Sequence, residues 1–374
     1  MDRSADIAIV GAGIVGLAHA YMALKKGYRV VLFEREQFAV GASVRNFGLL
    51  WPIGQEPGVG LERALRSREH WMEVAAQAGF WARANGSMHV VHHEAEWNVL
   101  EEFMDRYRDA PFQCELLTPA QVVERSPAVR KQGLRGGLWS ATEGTVYSRE
   151  AIRRIPLWLE EKFGLILRFG HVVKDIDLPT LRTARETWQV QRVYVCNGAD
   201  LETLYPEVFD QYPVTKCKLQ MMKAVMDKPF DIGPSLCAGL TLRHYAAFTK
   251  CPSLAKVDQH YNKLSEDYRT HGVHVLLAQN NYGELIIGDS HHYGKTLEPF
   301  DSEVVNDIIL GYLHSFVDLG PIRITERWNG TYPKIKDNIN LIHEPEKNVT
   351  IVTGLGGAGM TLSFGLAEEN LNKL

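Results

Sequence analysis

The sequence predicts an α/β fold: a parallel sheet wound with helices on both faces, into which a second, mixed α+β unit is inserted in pieces. Three observations predict it. The chain opens on strand, glycine turn, helix and strand, and that second strand ends on an acid. It closes on another apolar strand, another glycine-rich turn and another helix. Between these ends, strand-like and helix-like segments alternate without an internal repeat, a low-complexity tract or an obvious linker.

The opening unit is the most informative. Asp6 to Val10 is a short apolar run, followed directly by Gly11-Ala12-Gly13-Ile14-Val15-Gly16. A helical stretch, Leu17 to Lys26, and a strand, Arg29 to Phe33, then lead to Glu34. This is the Rossmann-type dinucleotide fingerprint in the context it requires. Gly11 lets the strand turn sharply, Gly13 lets a pyrophosphate approach the backbone, and Gly16 lets the helix pack on the strand. The helix N-terminus offers free N–H groups and partial positive charge to the phosphates. Glu34 lies eighteen residues past Gly16, where a carboxylate accepts both hydroxyls of a ribose and disfavours a 2′-phosphate. A GxGxxG alone also occurs in turns that hold nothing; both strands, the helix and the acid together carry the assignment.

The bulk numbers bound the rest. The chain has 374 residues, room for one large or two intimately joined domains. It is 45% hydrophobic and 23% charged, in the range of globular proteins, and its net charge of −4 excludes a nucleic-acid partner read through a basic surface. No apolar run reaches membrane-spanning length, and the N-terminus enters a core strand within five residues, without a leader's basic and apolar regions. Cys114, Cys196, Cys217, Cys237 and Cys251 are an odd set without a CxxC pair. They read as reduced thiols of a cytoplasmic protein, neither a disulfide frame nor a zinc site, and no metal is expected. Adjacent histidines on a strand face opposite ways, so His92-His93 reads as ordinary surface or core; His291-His292 is a closer matter.

Further elements follow in order. Leu61 to Ala78, Arg149 to Phe163, Ser302 to Phe316 and Gly359 to Leu371 read as helices. Ser87 to Val91, Val193 to Cys196, Pro213 to Met226, Val273 to Gln279, Leu285 to Gly288 and Val349 to Thr353 read as strands. The segment Gly41-Ala42-Ser43-Val44-Arg45-Asn46-Phe47-Gly48 is small at its start and polar in its middle, suited to run along a flat cofactor, although a plain surface turn has the same composition. At Val193 to Ala199 an apolar strand ends in Asn197-Gly198-Ala199 and is expected to pass into a helix; strand C-termini face the ligand crevice in such sheets. Near the end, Gly354-Leu355-Gly356-Gly357-Ala358-Gly359-Met360-Thr361 exposes another helix N-terminus, where negative charge is stabilised. The nucleotide-binding unit is thus expected to be discontinuous, over 1–85, 145–212 and 325–374, with a substrate unit over 86–144 and 213–324.

Taken in this order, Gly11 to Gly16 with Glu34, Gly41 to Gly48, Asn197-Gly198-Ala199, and Tyr332-Pro333 to Asp337 followed by Gly354 to Thr361 resemble the FAD-dependent amine and amino-acid oxidases of the D-amino-acid oxidase and glycine oxidase superfamily. Gly136 to Trp139 with Gly144 to Val146 looks like that family's return from the substrate unit, so the resemblance covers essentially the whole chain. The stretches Gly41 to Gln55, Gly239 to Arg243 and Gly288 to Gly294 look like a subgroup associated with bacterial phosphonate catabolism, whose members act on 2-aminoethylphosphonate-type amines, including N-methylated ones. The resemblance implies a glycine oxidase-like fold: a Rossmann-type FAD-binding domain with an inserted mixed α+β substrate domain. It implies FAD held by Gly11, Ala12, Gly13, Ile14, Val15, Gly16, Glu34, Arg35, Gly41, Ala42, Ser43, Arg45, Asn46, Phe47, Gly48, Val173, Asn197, Gly198, Leu355, Gly356, Gly357, Gly359, Met360 and Thr361.

Departures from the family pattern are informative. Tyr332 stands in Gly330-Thr331-Tyr332-Pro333 where amino-acid oxidases carry an arginine that forks onto the substrate carboxylate, so an α-amino acid is doubtful as substrate. Gly330 falls where the sarcosine-oxidase branch has its flavin-linking cysteine, which implies non-covalent FAD. Ile286 falls where that branch has an oxygen-activating lysine, leaving open oxygen or another electron acceptor. The implied chemistry is two-electron oxidation of the C–N bond of a small amine to an imine, hydrolysed to an aldehyde (phosphonoacetaldehyde for the phosphonate amines). Arg45, His291, His292 and Tyr332 are the candidate catalytic set, with Arg243, Lys334 and Lys336 as further cations for an anionic tail. Trp51 and Gln55 could wall the pocket, with core packing the blander role for Trp51. Three alternatives compete: an oxidase or dehydrogenase of glycine, sarcosine or D-amino acids; a nicotinamide-dependent dehydrogenase, against which the terminal glycine segment argues; and a non-catalytic FAD-binding protein.

Overall fold

The computed structural model describes residues 3–374; the first two residues of the segment expected to begin at 1 lie outside the described residues. Ser4–Val10 is the centre of the first sheet. It lies parallel to Val30–Glu34 on one side and to Thr187–Val195 on the other. Ile166–Phe169 extends the sheet beyond Val30–Glu34, and Val349–Thr353 runs parallel to the last residues of Thr187–Val195. The first residues of that long strand pair instead with an antiparallel hairpin, Val173–Asp177 and Thr180–Thr183, while Leu341–Glu346 edges Val349–Thr353. Val30-Val31-Leu32-Phe33 is a continuous apolar run because both faces of the strand are buried. The expected helices on both faces are not found, since the long helices cover the Val30 and Leu32 face while the hairpin with Ile176 and Leu181, and Leu204, Val208 and Phe209, cover the Val31 and Phe33 face.

Helices Ile14–Lys25, Val59–Ala78, Ser148–Phe163 and Gly359–Leu371 share one core with this sheet. Trp71 is fully buried within it, its ring edge-on to Phe364 at 5.2 Å, and its Nε1–H donates to the Met360 carbonyl at 2.7 Å. The Val59–Ala78 and Gly359–Leu371 helices approach so closely that Arg63 reaches Glu369 and Asn340.

The second sheet has nine strands. Val214–Met226 is its long member, paired antiparallel along its length with Ile322–Ile335 and on its other edge with Leu285–Gly288 and His292–Gly294. Beyond Leu285–Gly288 come Leu276–Gln279, Ser235–Cys237, Ser87–Val91, Gly136–Ser140 and Cys114–Leu117. A three-stranded ribbon of Leu49–Leu50, Gly144–Val146 and Ala82–Arg83 lies outside both sheets. All five cysteines are free, and among the described residues no helix is long and apolar enough to cross a membrane.

Two local expectations change. The strand read from Val193 begins at Thr187, because its polar first half pairs with the hairpin. No helix follows Asn197-Gly198-Ala199. Asn197 Nδ2 donates to the Asp200 carbonyl, and Asp200 Oδ1 accepts from the N–H groups of Glu202 and Thr203, so side chains close a turn where a helix would compete. Helix Glu94–Arg106 was not expected. Its capping box uses His93 where Ser or Thr is usual: the Glu96 carboxylate accepts from the His93 N–H, and His93 Nδ1 accepts from Ala95.

Two outcomes follow for stability. A Cβ on Gly365 would collide with the Arg63 backbone carbonyl, so Gly365→Ala should cost about 1–3 kcal/mol, read as a lower denaturant midpoint. His19 and His89 are fully buried, and desolvation pushes their pKa values down to about 4 and about 3. In the unfolded chain each titrates near 6.5, so in the window below that value only the unfolded state binds the proton. Stability should be intact above pH ~6.5 and fall with acid, by about 1.4 kcal/mol per pH unit for each such histidine. His89 makes no hydrogen bond through either ring nitrogen, so His89→Phe should flatten this slope in midpoints measured across the window.

Candidate active site

One cleft of about 550 Å³ runs from the C-terminal ends of the first sheet's parallel strands to the second sheet. At its nucleotide end the backbone does most of the shaping. Gly11 has φ +102°, and a Cβ there would fall on the Cys196 carbonyl; a Cβ on Gly16 would fall on the Gly11 carbonyl. The helix starting at Ile14 has no side-chain cap at Gly13, which leaves its N-terminus facing the cleft; Ser43 Oγ accepts from the Ile14 N–H at 2.9 Å. Glu34 accepts from the N–H of Ala12 at 2.9 Å through Oε2 and from that of Glu36 at 3.1 Å through Oε1. Arg35 pairs with Asp200 across this end.

The Gly41 to Gly48 loop is held by Asn46. Its Nδ2 donates to the Ala42 and Ser43 carbonyls, and its Oδ1 accepts from the Gly48 N–H at 2.7 Å. Arg45 Nη1 donates to the Asn329 carbonyl at 3.3 Å, and the Phe47 ring packs beside Gly288. The terminal glycines bend the chain through Gly354 at φ +73° and Gly356 at φ +58° into a helix that again has no side-chain cap. Thr361 Oγ1 accepts from the Trp51 N–H at 2.9 Å, tying this helix to the loop opposite.

Of the residues singled out from sequence, Gly11, Gly13, Ile14, Val15, Glu34, Arg35, Gly41 to Phe47 apart from Val44, Val173, Asn197, Gly198, Leu355 to Gly357, Gly359, Met360 and Thr361 line the cleft. Ala12, Gly16 and Gly48 stand behind it, where they set the turns. Tyr332 lines it from the Ile322–Ile335 strand opposite Cys217; its hydroxyl is beside Gly357, and burial raises its pKa well above the usual value. His291 lines the cleft; His292, the first residue of His292–Gly294, does not, and its Nε2 lies 3.1 Å from His271 Nδ1. Lys334 lines it with its Nζ over the Tyr293 ring, whereas Arg243 pairs with Asp258 and Lys336 lies outside.

Sequence reasoning passed over His244, Tyr245, His274 and Asp289, which line the substrate end with Trp51, Leu219, Met221 and Leu276. Burial is the first cause that pushes the pKa values of His244 and His274 well below the ordinary value, that of His291 down to about 4, and that of Asp289 well above the carboxylate range. Lys334 adds in the same direction for all three histidines.

The residues fit an extended dinucleotide such as FAD. Gly11 and Gly16 admit no side chain, two helix N-termini whose own N-cap residues supply no side-chain cap face the cleft, and two buried lining atoms, Asn197 Oδ1 and Trp51 Nε1, have no hydrogen-bond partner among protein atoms. Comparison with known proteins agrees. A family model described as "DAO: FAD dependent oxidoreductase" matches residues 6–370. D-amino-acid oxidase of Streptomyces coelicolor is 39% identical over 80 residues, 21% of this chain and 25% of that protein. Monomeric sarcosine oxidase of a Bacillus species is 22% identical over 206 residues, 53% of this chain and 52% of that protein. The chain therefore spans from a quarter to about half the length of these curated relatives. The crystal structure of glycine oxidase from Geobacillus kaustophilus superposes with a TM-score of 0.79 at 20% identity, covering 99% of this chain and 95% of that one, so the two share a fold.

Glu34 already holds the Ala12 and Glu36 N–H groups, so its loss would loosen the turn as well as the ribose contacts. Glu34→Ala is expected to weaken FAD retention by about 1–3 kcal/mol, measured as the flavin fluorescence released on dilution.

Proposed function

Because the chain belongs to the family of FAD-dependent oxidoreductases, we propose that it oxidises the C–N bond of a small amine whose other end carries a non-carboxylate anion, 2-aminoethylphosphonate or its N-methyl derivative. The observation that carries this reading is the polar lining of the substrate end. By the family resemblance Tyr332 stands where a carboxylate-binding arginine would; it lines the cleft with three imidazoles and Lys334, while the arginines of the lining are engaged elsewhere, Arg35 with Asp200 and Arg45 with the Asn329 carbonyl. A tyrosine hydroxyl offers one donor and no charge, which suits an α-carboxylate poorly.

Bound FAD supplies the acceptor for two electrons from the substrate's α C–H bond. The residues of this chain do the rest. Leu219, Met221 and Leu276 present an apolar wall, and Trp51 and Tyr245 cover it; their rings tilt at 33° with centroids 6.1 Å apart. Such a wall excludes water and favours the neutral amine, the form from which the C–H bond can be oxidised. Lys334 attracts the anionic end. Arg45, on the Gly41 to Gly48 loop with its Nη1 donating to the Asn329 carbonyl, is proposed as a cofactor-side residue, and His291 as the member of its pair that meets substrate. Gly330 lines the cleft where the sarcosine-oxidase branch has its attachment cysteine, and FAD is proposed to be non-covalent. The division into a discontinuous nucleotide-binding unit and an inserted substrate unit is part of the same proposal, and the acceptor is oxygen or another electron carrier.

The names of the relatives favour a second reading, an oxidase or dehydrogenase of glycine, sarcosine or a D-amino acid. Anaerobic flavin reduction with glycine, sarcosine, D-alanine and the two aminoethylphosphonates side by side separates the readings. Fastest bleaching by a phosphonate amine is expected; faster bleaching by a carboxylate amino acid replaces the first reading with the second. Lys334→Met should raise KM for the phosphonate amine by about 10–100-fold, the worth of a charged contact, and leave KM for a neutral amine of equal length within about twofold.

A further inference from the structure

Three buried ionisable groups, His274, Asp289 and His291, gather at the substrate end with the more exposed His244, on segments that border the second sheet. His274 precedes Leu276–Gln279, Asp289 and His291 follow Leu285–Gly288, and His244 follows the Gly239–Leu242 helical turn. The rings form a stack. His244 and His274 have centroids 3.8 Å apart at 25°, His274 and His291 are 5.1 Å apart at 19°, and His244 and His291 are 4.6 Å apart at 39°. Asp289 Oδ1 lies 3.2 Å from His274 Nε2 and 3.9 Å from His291 Nδ1, which is itself 2.9 Å from the Gly272 carbonyl. Neither Asp289 Oδ1 nor His274 Nδ1 has a properly aligned hydrogen-bond partner. Polar atoms buried this way in a binding cleft cost free energy unless a ligand meets them.

Two kinds of ligand suit imidazoles, a transition-metal ion or an oxyanion. The candidate donor atoms lie within 4.8 Å of one another. Tetrahedral zinc, with bonds of about 2.0–2.1 Å, would need its nitrogens about 3.4 Å apart and every lone pair aimed at the ion. An imidazole lone pair lies in its ring plane, and stacked, near-parallel planes do not aim at one centre. Stacked ring edges instead present several N–H donors side by side, which matches the oxygens of a tetrahedral anion.

We propose that His244, His274 and His291 form the socket for the phosphonate head of the substrate and take up protons as the dianion enters. This rests on the substrate reading above and deepens it. Burial favours the neutral imidazoles in the free protein and shifts Asp289 toward its protonated form, which lessens its repulsion of the anion. The other groups facing the stack are Lys334, a cation that adds to this; Tyr245, Tyr332 and Cys217, whose pKa values burial raises; the exposed Tyr293; and His292 beside His291. A dianion against the ring edges reverses the balance, because an opposite charge nearby stabilises imidazolium.

The test uses FAD-loaded protein and ethylphosphonate, which carries the head but no amine to oxidise. Calorimetric titration is run above the ligand's second pKa, in two buffers of different ionisation enthalpy. A buffer-dependent heat corresponding to uptake of about one proton per bound anion is expected. His274→Leu and His291→Leu, prepared with full FAD content, should each weaken ethylphosphonate binding at least about tenfold and lower the proton uptake, and His274→Gln, which keeps an N–H donor, should restore part of the affinity. Asp289→Asn should bind within about threefold of the parent, and dialysis against EDTA should change nothing. Buffer-independent heat, undiminished affinity in both leucine variants, or binding that is lost with a stoichiometric metal would overturn the socket. If the socket fails while an aminoethylphosphonate still bleaches the flavin fastest, the substrate reading survives alone. If ethylphosphonate binds with proton uptake but no aminoethylphosphonate reduces the flavin, the anion socket stands and the substrate reading falls.

Discussion

Three backbone segments meet without side chains between them at Gly11, Gly16 and Cys196, and the geometry of the whole cleft depends on that contact. Gly16 allows the first helix to lie against the Gly11 carbonyl, and Gly11 allows the turn to lie against the Cys196 carbonyl. The end of Thr187–Val195 is thereby fixed beside the opening turn, which sets Asn197 at the rim and brings Glu34 within reach of the Ala12 N–H. Gly48 repeats the device against the Val146 carbonyl, linking the cofactor-side loop to the three-stranded ribbon. A methyl group at any of these points would push against elements that main-chain hydrogen bonds, Cys196 N–H to Val10 and Val146 N–H to Gly48 among them, hold at that distance.

The two ends of the cleft use different chemistry. The nucleotide end is made of turns and helix N-termini, where peptide dipoles act. The substrate end is made of side chains delivered by the second sheet, whose long pair, Val214–Met226 with Ile322–Ile335, is registered over thirteen residue pairs. That register determines which side chains reach the cleft: Tyr332 faces in opposite Cys217, and Gly330, opposite Leu219, leaves room for the Arg45 backbone.

The nucleotide end was legible in the sequence because its logic is local: glycines, a strand, a helix and an acid follow one another within a few dozen residues. Helix Val59–Ala78 was legible through its apolar periodicity, and Gly359–Leu371 as an apolar stretch following a glycine-rich turn. The turn after Asn197 was not, because Asp200 competes for backbone N–H groups in a way that apolar pattern does not report. Helix Glu94–Arg106 was hidden by a histidine cap. The histidine stack escaped for a different reason. His244, His274 and His291 come from segments separated by stretches of chain, and only the strand order brings them together; of the adjacent His291 and His292, visible in the sequence, only His291 reaches the cleft.

A cradle made of main chain has a consequence for how such proteins diverge. Peptide groups are the same in every residue, so the nucleotide end tolerates nearly any substitution that spares its few glycines and its acid. The substrate end has no such freedom, yet its residues lie on strand ends and loops that can change one at a time. A fold can therefore be kept while most side chains change, as the superposition at TM-score 0.79 with 20% identity shows.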